Sequence, residues 1–524
     1  MKTKLLPLTL GLLMAAGVHA QGVTYSEHIA PIIYDHCTTC HRPGEIAPFS
    51  LTNYSEVSNW ADMIKYVTDI RFMPPWKAEV GYQAYQKENF LTPSQVQLIS
   101  DWVAQGTPQG NPALEPALPV FPTGSQVGTP DLTVSFSQKY THQGNNEDEY
   151  RYFVIPTGLT ETKDLVAMEI RPGNKAIVHH ALIWADTSGE SMSADLATPE
   201  YGYGGGESLL DFLSSIDNQL PSYVPGQKPN LYSNGIAQRL YPGTDLKIQI
   251  HYAPTATTED DSTSINLFFA QQPATRFVKS KVMTPFTSTV NPLFAMLPNT
   301  TTDFHGTWTL PEKASLLGIM PHMHMLGANW RVYAVKPNGD TVNIIRIMDW
   351  DFNWQSTYYF KQMLVLPQGS VLHAYAKYDN TSNNVNNPFS PPRFVTWGEN
   401  TSEEMYYLPI MYVPYEAGDE DVVFEEGNMG TEDLHFVKDE LYPVAPNPSN
   451  GMVKVGFTLS QSTKASMRLY DIKGTLVRIV MNEQLYLPGM HVQNLDFSDL
   501  AAGNYTLELT TKEKKMTQKI VVAK

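Results

Sequence analysis

Cysteine is nearly absent from this chain: only Cys37 and Cys40 among 524 residues. Both lie in one Cys37-Thr38-Thr39-Cys40-His41 motif, so structural disulfides are excluded if that motif holds a group through both sulfurs. Positive charge is scarce as well. Lys and Arg number 36 against 53 Asp and Glu, a net charge of −17. No basic cluster interrupts this balance, so nucleic acid is not an expected partner. Long apolar runs are missing apart from Leu5 to Val18, which follows Lys2 and Lys4. That run ends in Val18-His19-Ala20, the small-residue pattern of a cleavage site, and is too short and wrongly flanked for a spanning helix. Residues 1–20 are therefore expected to be a secretory signal peptide whose removal takes the net charge to −19 and leaves no transmembrane segment.

What is present is enough apolar sequence, 42% of residues, for several cores. Residues 21–108 read as helical and compact. Thr92 is placed to cap a helix with Pro93 at its first position; Val96, Ile99 and Val103 share one face, and Gly106 stops it. Residues 109–130 are rich in proline and read as an extended linker. From Asp131 to about Pro414 short strand-like runs alternate with turn residues, for example Leu246–Ile250 and Val371–Ala376. This stretch suits two β domains, 131–290 and 291–415, divided where turn-rich sequence begins at Pro285. An acidic stretch, 416–440, reads as a second linker. Residues 441–524 return to alternating strands, with Ala465, Met467 and Leu469 on one face, Tyr505, Leu507 and Leu509 on another, and a hairpin turn at Lys473-Gly474. The fold class expected is multidomain and mainly β, with a small helical domain in front and a small β-sandwich behind.

The Cys37-x-x-Cys40-His41 spacing is that of covalent c-type haem attachment: two thioethers pin the porphyrin edge and the next histidine faces the iron. The competing reading is a thioredoxin-like redox pair. Met73, in the rigid segment Arg71-Phe72-Met73-Pro74-Pro75-Trp76, is the favoured sixth ligand. Met63 in a helical pattern is the other candidate, and a buried methionine beside the haem edge is the plain alternative. The motif, the downstream Met-Pro-Pro-Trp and the helix carrying Trp102 together resemble small class I cytochromes c.

Histidines stand at His179-His180, His251 and His322-Met323-His324. On a strand, residues two apart share a face, so His322 and His324 can reach one metal. His179 and His180 can do so only if the backbone is irregular there. Taken singly, each is as readily a core or surface histidine. In the order HH, H, HxH, M, with Met405 in Ser402-Glu403-Glu404-Met405, the chain resembles the copper type II, ascorbate-dependent monooxygenases, the family of dopamine β-monooxygenase and peptidylglycine α-hydroxylating monooxygenase. The matching stretches are Val178-His179-His180-Ala181, Ile250-His251-Tyr252-Ala253-Pro254, Pro321–Gly327 and Ser402–Met405. The resemblance covers about residues 131–414.

That resemblance implies two jelly-roll-like domains facing each other across a cleft. It implies an electron-storing copper on His179, His180 and His251, and an oxygen-activating copper on His322, His324 and Met405. Imidazole suits copper, and a soft thioether favours Cu(I). The implied function is hydroxylation of a C–H bond of a small organic substrate with O2, using two copper ions, one haem c and an external electron donor such as ascorbate. Three departures stand out: no disulfides, a fused cytochrome, and Met320 where the peptide-acting branch holds a substrate-binding arginine. The alternative is a non-catalytic extracellular haem/copper electron-transfer or copper-binding protein. The tail resembles the sorting domains of the type IX secretion pathway through Ala445-Pro446-Asn447-Pro448, Leu469–Gly474 and Leu500–Tyr505. This implies the secretion machinery as a partner and release from the cell or attachment to its surface.

Overall fold

The computed structural model describes residues 22–524 except 123, 205–215, 425–439, 443, 445, 460–462, 487–488, 513 and 524. The expected signal peptide, most of the acidic stretch and Ala445 lie outside the described residues. Among the described residues no helix is long and apolar enough to cross a membrane. The chain is mainly β, with several sheets and a small helical N-terminal part. It divides into two compact units, Met1–Trp76 with Glu88–Val120, and Lys77–Lys87 with Phe121–Lys524.

The helical unit contains the helices Ala30–His36, Tyr54–Asn59, Ala61–Asp69 and Pro93–Ala104. The last starts at Thr92, whose hydroxyl accepts from the Gln95 N–H while the Gln95 side chain accepts from the Thr92 N–H. This reciprocal cap satisfies two amides that the helix itself leaves open. Ile99 and Trp102 enter a core with Tyr25, Ile29, Ile33 and Ile64; Val96 and Val103 pack at its margin. The proline-rich stretch is not a free linker at its start. The Tyr25 and Ser26 amides donate to the carbonyls of Pro108 and Gln109 at 2.9 and 3.0 Å, and the Tyr34 hydroxyl donates to Glu115 at 2.6 Å. Proline has no N–H to give, but its carbonyl accepts like any other.

In the β unit, two pairs of sheets follow one another. The first pair joins a five-stranded sheet (Leu132–Ser135, Ser264–Phe269, Lys163–Arg171, Ile236–Leu240, Arg276–Phe277) to a four-stranded one (Val178–Asp186, Asp245–Tyr252, Glu149–Pro156, Tyr203–Gly204). Phe153, Met168, Ile183, Ile248 and Leu267 from both sheets share one core. The second pair is a four-stranded sheet (Lys279–Met283, Leu408–Pro414, Ala314–Ile319, Tyr358–Leu366) and a five-stranded one (Thr289–Asn291, Thr300–Thr309, Val371–Asn380, Gly327–Val335, Thr341–Ile347). The Val371–Asn380 strand shows why it is a strand: Leu372, Ala374, Ala376 and Tyr378 are fully buried and alternate with partly exposed neighbours.

The chain passes from the first pair to the second between Phe277 and Lys279, ahead of the 290/291 division read from the sequence. Lys77–Lys87, read as part of the helical domain, belongs with the sheets: the Glu79 amide donates to Arg346 O (2.7 Å) and the Tyr85 hydroxyl to Ile344 O (2.7 Å). The start of the acidic stretch is also part of this fold. Asp419 is buried and accepts two hydrogen bonds from the Arg276 guanidinium, at 2.8 and 2.6 Å. The tail forms two further sheets over a core of Val455, Phe457, Met467, Leu469, Leu507 and Leu509. Its Asp471–Thr475 turn needs a left-handed residue, supplied by Gly474 at φ +79°.

Candidate metal centre

His179 and His180 begin the strand that pairs with Asp245–Tyr252. In that ladder Val178 lies opposite Tyr252 and His180 opposite His251, with a register shift between them. His179 is thus the extra residue of a bulge, which turns two consecutive side chains toward one place. The Nδ1 atoms of His179, His180 and His251 lie 3.1, 3.1 and 3.4 Å apart pairwise. Three ligand nitrogens about 2.0 Å from one ion at tetrahedral angles would stand about 3.3 Å apart, so the triad fits a single metal. These three residues form a group able to hold an ion. On the far side of its ring, His251 Nε2 lies 2.6 Å from Asp148 Oδ1. The carboxylate can only accept, so Nε2 is the donor and, in the neutral ring that ligates, Nδ1 is the nitrogen with the lone pair. Tyr150 stacks on the same ring, 4.3 Å away and 6° from parallel.

His322 and His324 do not sit on a regular strand, the condition under which residues two apart would share a face. The strand Ala314–Ile319 ends before them, and only His322 makes a β-bridge, to Tyr407. His322 N–H donates to Tyr407 O at 2.9 Å. Met323 is fully buried in between. The two imidazoles stand perpendicular with centroids 5.0 Å apart. His324 Nδ1 donates to Glu403 O at 3.0 Å, leaving Nε2 for a ligand. Met405 lines the same pocket as both rings and is buried. Burial, and then neighbouring imidazoles, hold His180 and His322 well below the ordinary histidine range. Burial first brings His179 and His324 down to about 4. All four rings are therefore neutral near pH 7, the form that ligates.

The two donor sets meet. His180 and His322 have ring centroids 6.3 Å apart, and the Phe352 ring lies within 5.7 Å of His179, 5.9 Å of His251 and 5.8 Å of His324. One pocket runs past His180, His322, His324 and Met405 to a wall of Tyr152, Trp184 and Tyr407. Glu399 and Gln249 give that wall polar groups: Tyr152 OH donates to Glu399 at 2.9 Å, and Gln249 Nε2 donates to Tyr152 OH at 2.6 Å. Met320 is buried in an adjoining pocket with His180 and His322, and the Ser222 hydroxyl donates to its sulfur at 3.3 Å.

In the helical unit, Cys37 and Cys40 follow the Ala30–His36 helix and form no disulfide. His41 Nδ1 donates to Phe49 O at 3.1 Å, which frees Nε2. Phe49 stacks on Trp60 with centroids 4.2 Å apart. Trp60, Met63, Tyr66, Ile70 and Phe72 form an exposed apolar row, from 40% at Trp60 to 60% at Tyr66. An apolar face uncovered beside a CxxCH motif fits a flat macrocycle. Met73 is half-buried after the Ala61–Asp69 helix, its N–H donating to Val67 O at 3.1 Å. Asp148, Phe352, Glu399 and Glu404 were not singled out from the sequence. For Asp148, Phe352 and Glu399 the signal is spatial, since each reaches its partners from a distant part of the chain; Glu404, next to Met405, carries a local hint.

Residues 443–523 match the model of the secretion system C-terminal sorting domain. The chain is accordingly secreted or attached to the cell surface, with the type IX secretion machinery as its partner. No curated protein matches the chain. Among solved structures, the β-glucuronidase of Parabacteroides merdae is 13% identical, with 43% of this chain and 27% of that chain covered and a TM-score of 0.14. The enzyme of Faecalibacterium prausnitzii is 13% identical over 43% and 37%, TM-score 0.13; that of Dictyoglomus thermophilum is 12% identical over 48% and 44%, TM-score 0.14. The chain spans less than half the length of each, and superpositions this poor carry no argument about fold or function.

Proposed function

We propose that this chain is a secreted copper monooxygenase that hydroxylates a C–H bond of an organic substrate, with a covalently held c-type haem as its electron entry. The observation that carries this reading is the meeting of two unlike donor sets: His180 of the three-imidazole group stands 6.3 Å from His322 and lines one pocket with His322, His324 and Met405. The balance is R–H + O2 + 2e⁻ + 2H⁺ → R–OH + H2O. Copper, when bound, would supply one-electron redox chemistry and an oxygen-binding position, its thioether ligand favouring Cu(I). The chain's own residues prepare the site. Asp148 and the Glu403 carbonyl fix the tautomers of His251 and His324. Phe352 and the buried strands keep water from the chamber. Tyr152, Trp184 and Tyr407 offer flat apolar contact to a substrate, while Gln249 and Glu399 orient it through hydrogen bonds. Met320 gives a carboxylate no cationic partner, so peptides ending in glycine are not the expected substrates.

Metal analysis of the purified chain should return two copper ions per haem. A substrate screen following oxygen uptake should find consumption that depends on copper and on an organic co-substrate. Met405→Ala and His324→Ala should each abolish hydroxylation while the haem spectrum is kept. Full activity in either variant would overturn the assignment of the oxygen-activating site.

A further inference from the structure

Glu404 is fully buried, next in sequence to a proposed ligand. A carboxylate is costly to take out of water and is retained where it answers several donors. The donors here are backbone amides. Oε2 accepts from the N–H of His324 at 2.9 Å and of Met405 at 3.3 Å, and Oε1 accepts from the N–H of Leu326 at 2.6 Å. The Gly327 N–H faces it as well. Of these, the His324 and Leu326 amides belong to the irregular segment after His322, which gives them no ladder partner. Two bonds lie alongside: His324 Nδ1 donates to Glu403 O, and the Tyr378 hydroxyl donates to Met405 O at 2.7 Å.

We propose that Glu404 is a positioning residue that ties the His324 backbone to that of Met405, so that imidazole and thioether are presented to one ion as a fixed pair. The inference rests on the metal reading of this site. Glu404 itself would touch neither substrate nor ion. A regular strand would have spaced His322 and His324 without help. The segment that replaces it has no ladder to hold it, and one carboxyl group with two oxygens does that work from the connection between the strands Val395–Thr396 and Leu408–Pro414. Glutamine in its place has a single acceptor oxygen and turns an NH2 group toward N–H groups, so the clamp opens.

The test uses the full chain and the variants Glu404→Gln and Glu404→Asp. In metal-free protein, amide hydrogen exchange of residues 322–327 should be about tenfold faster or more in Glu404→Gln, with the other strands of the β unit unchanged. X-ray absorption of the Cu(I)-loaded protein should show copper–sulfur scattering in the wild type and lose it in Glu404→Gln, while copper on His179, His180 and His251 stays bound. Should Glu404→Gln fail to fold, Glu404→Asp carries both measurements; it keeps the carboxyl group but reaches fewer of the four amides, so partial loss is expected. Unchanged exchange with unchanged sulfur scattering overturns the positioning role. A wild type that takes up no copper, while Glu404→Gln still exchanges faster, overturns the metal reading and leaves the backbone clamp standing.

Discussion

The Asp148 carboxylate accepts the hydrogen bond from His251 Nε2–H at 2.6 Å and thereby selects the nitrogen left to face His179 and His180. Asp148→Ala should weaken copper binding at the triad about 10- to 100-fold without changing the circular dichroism of the chain. Competition with a chelator of known affinity measures this, and an unchanged affinity would remove Asp148 from the site. The residue scale is also where the sequence is most legible. Histidine is scarce enough, 14 in 524 residues, that the HH pair and the HxH motif stand out before any fold is known, whereas Met405, one of 21 methionines, is picked out by the family resemblance alone. Asp148 does not, because one aspartate among many acquires meaning only when a strand more than a hundred residues away places His251 against it. Phe352 is hidden for the same reason.

Elements were legible where local rules decide them. The Thr92 cap, the Pro93 start and the turn at Gly474 follow from neighbouring residues alone. Removing the cap with Thr92→Ala should cost the helical unit about 1 kcal/mol, read as a lower denaturation midpoint. The start of the acidic stretch was misleading because charge density suggests solvent, whereas Asp419 is drawn in by Arg276 and by the Ser315 hydroxyl. Burial alone would raise the Asp419 carboxyl, but the Arg276 and Ser315 hydrogen bonds outweigh it and hold the group below the usual aspartate range. Its folded value is depressed, so its contribution is present above the unfolded value of about 3.9 and is lost as pH falls through the folded one. Asp419→Ala should cost about 3 kcal/mol by leaving the buried Arg276 guanidinium only the Pro414 carbonyl and the exposed Glu416 carboxylate. It should also flatten the loss of stability below about pH 4. Urea melts at pH 7 and pH 3 check both.

At the scale of the whole molecule, the proposed function divides among the two units and the tail. The helical unit offers the haem motif, the paired sheets offer the two donor sets, and residues 443–523 match the sorting domain. Ligands bound only by folded protein raise its stability by mass action, about 2.7 kcal/mol at a hundred times the dissociation constant. Copper loading should therefore raise the melting transition of the β unit and leave that of the helical unit in place, as differential scanning calorimetry with and without a Cu(I) chelator would show. A single shift shared by both transitions would contradict independent units. Composition and patterning point to a mainly β chain with a small helical N-terminal part and a terminal sorting domain, whereas the exchange of sheets at Val278 is a long-range choice of strand pairing that no turn residue announces.

The bulge at His179 has a genetic corollary. Because Val178 already faces Tyr252 and His180 already faces His251, deleting residue 179 outright would close the ladder into a regular one with every later side chain still on its own face. Substitution at this position tests a ligand, whereas loss of one codon would leave a more regular and stably folded strand that can no longer assemble three imidazoles. Architecture and chemistry in this sheet are separable by a single triplet, and drift could part them without passing through an unfolded ancestor.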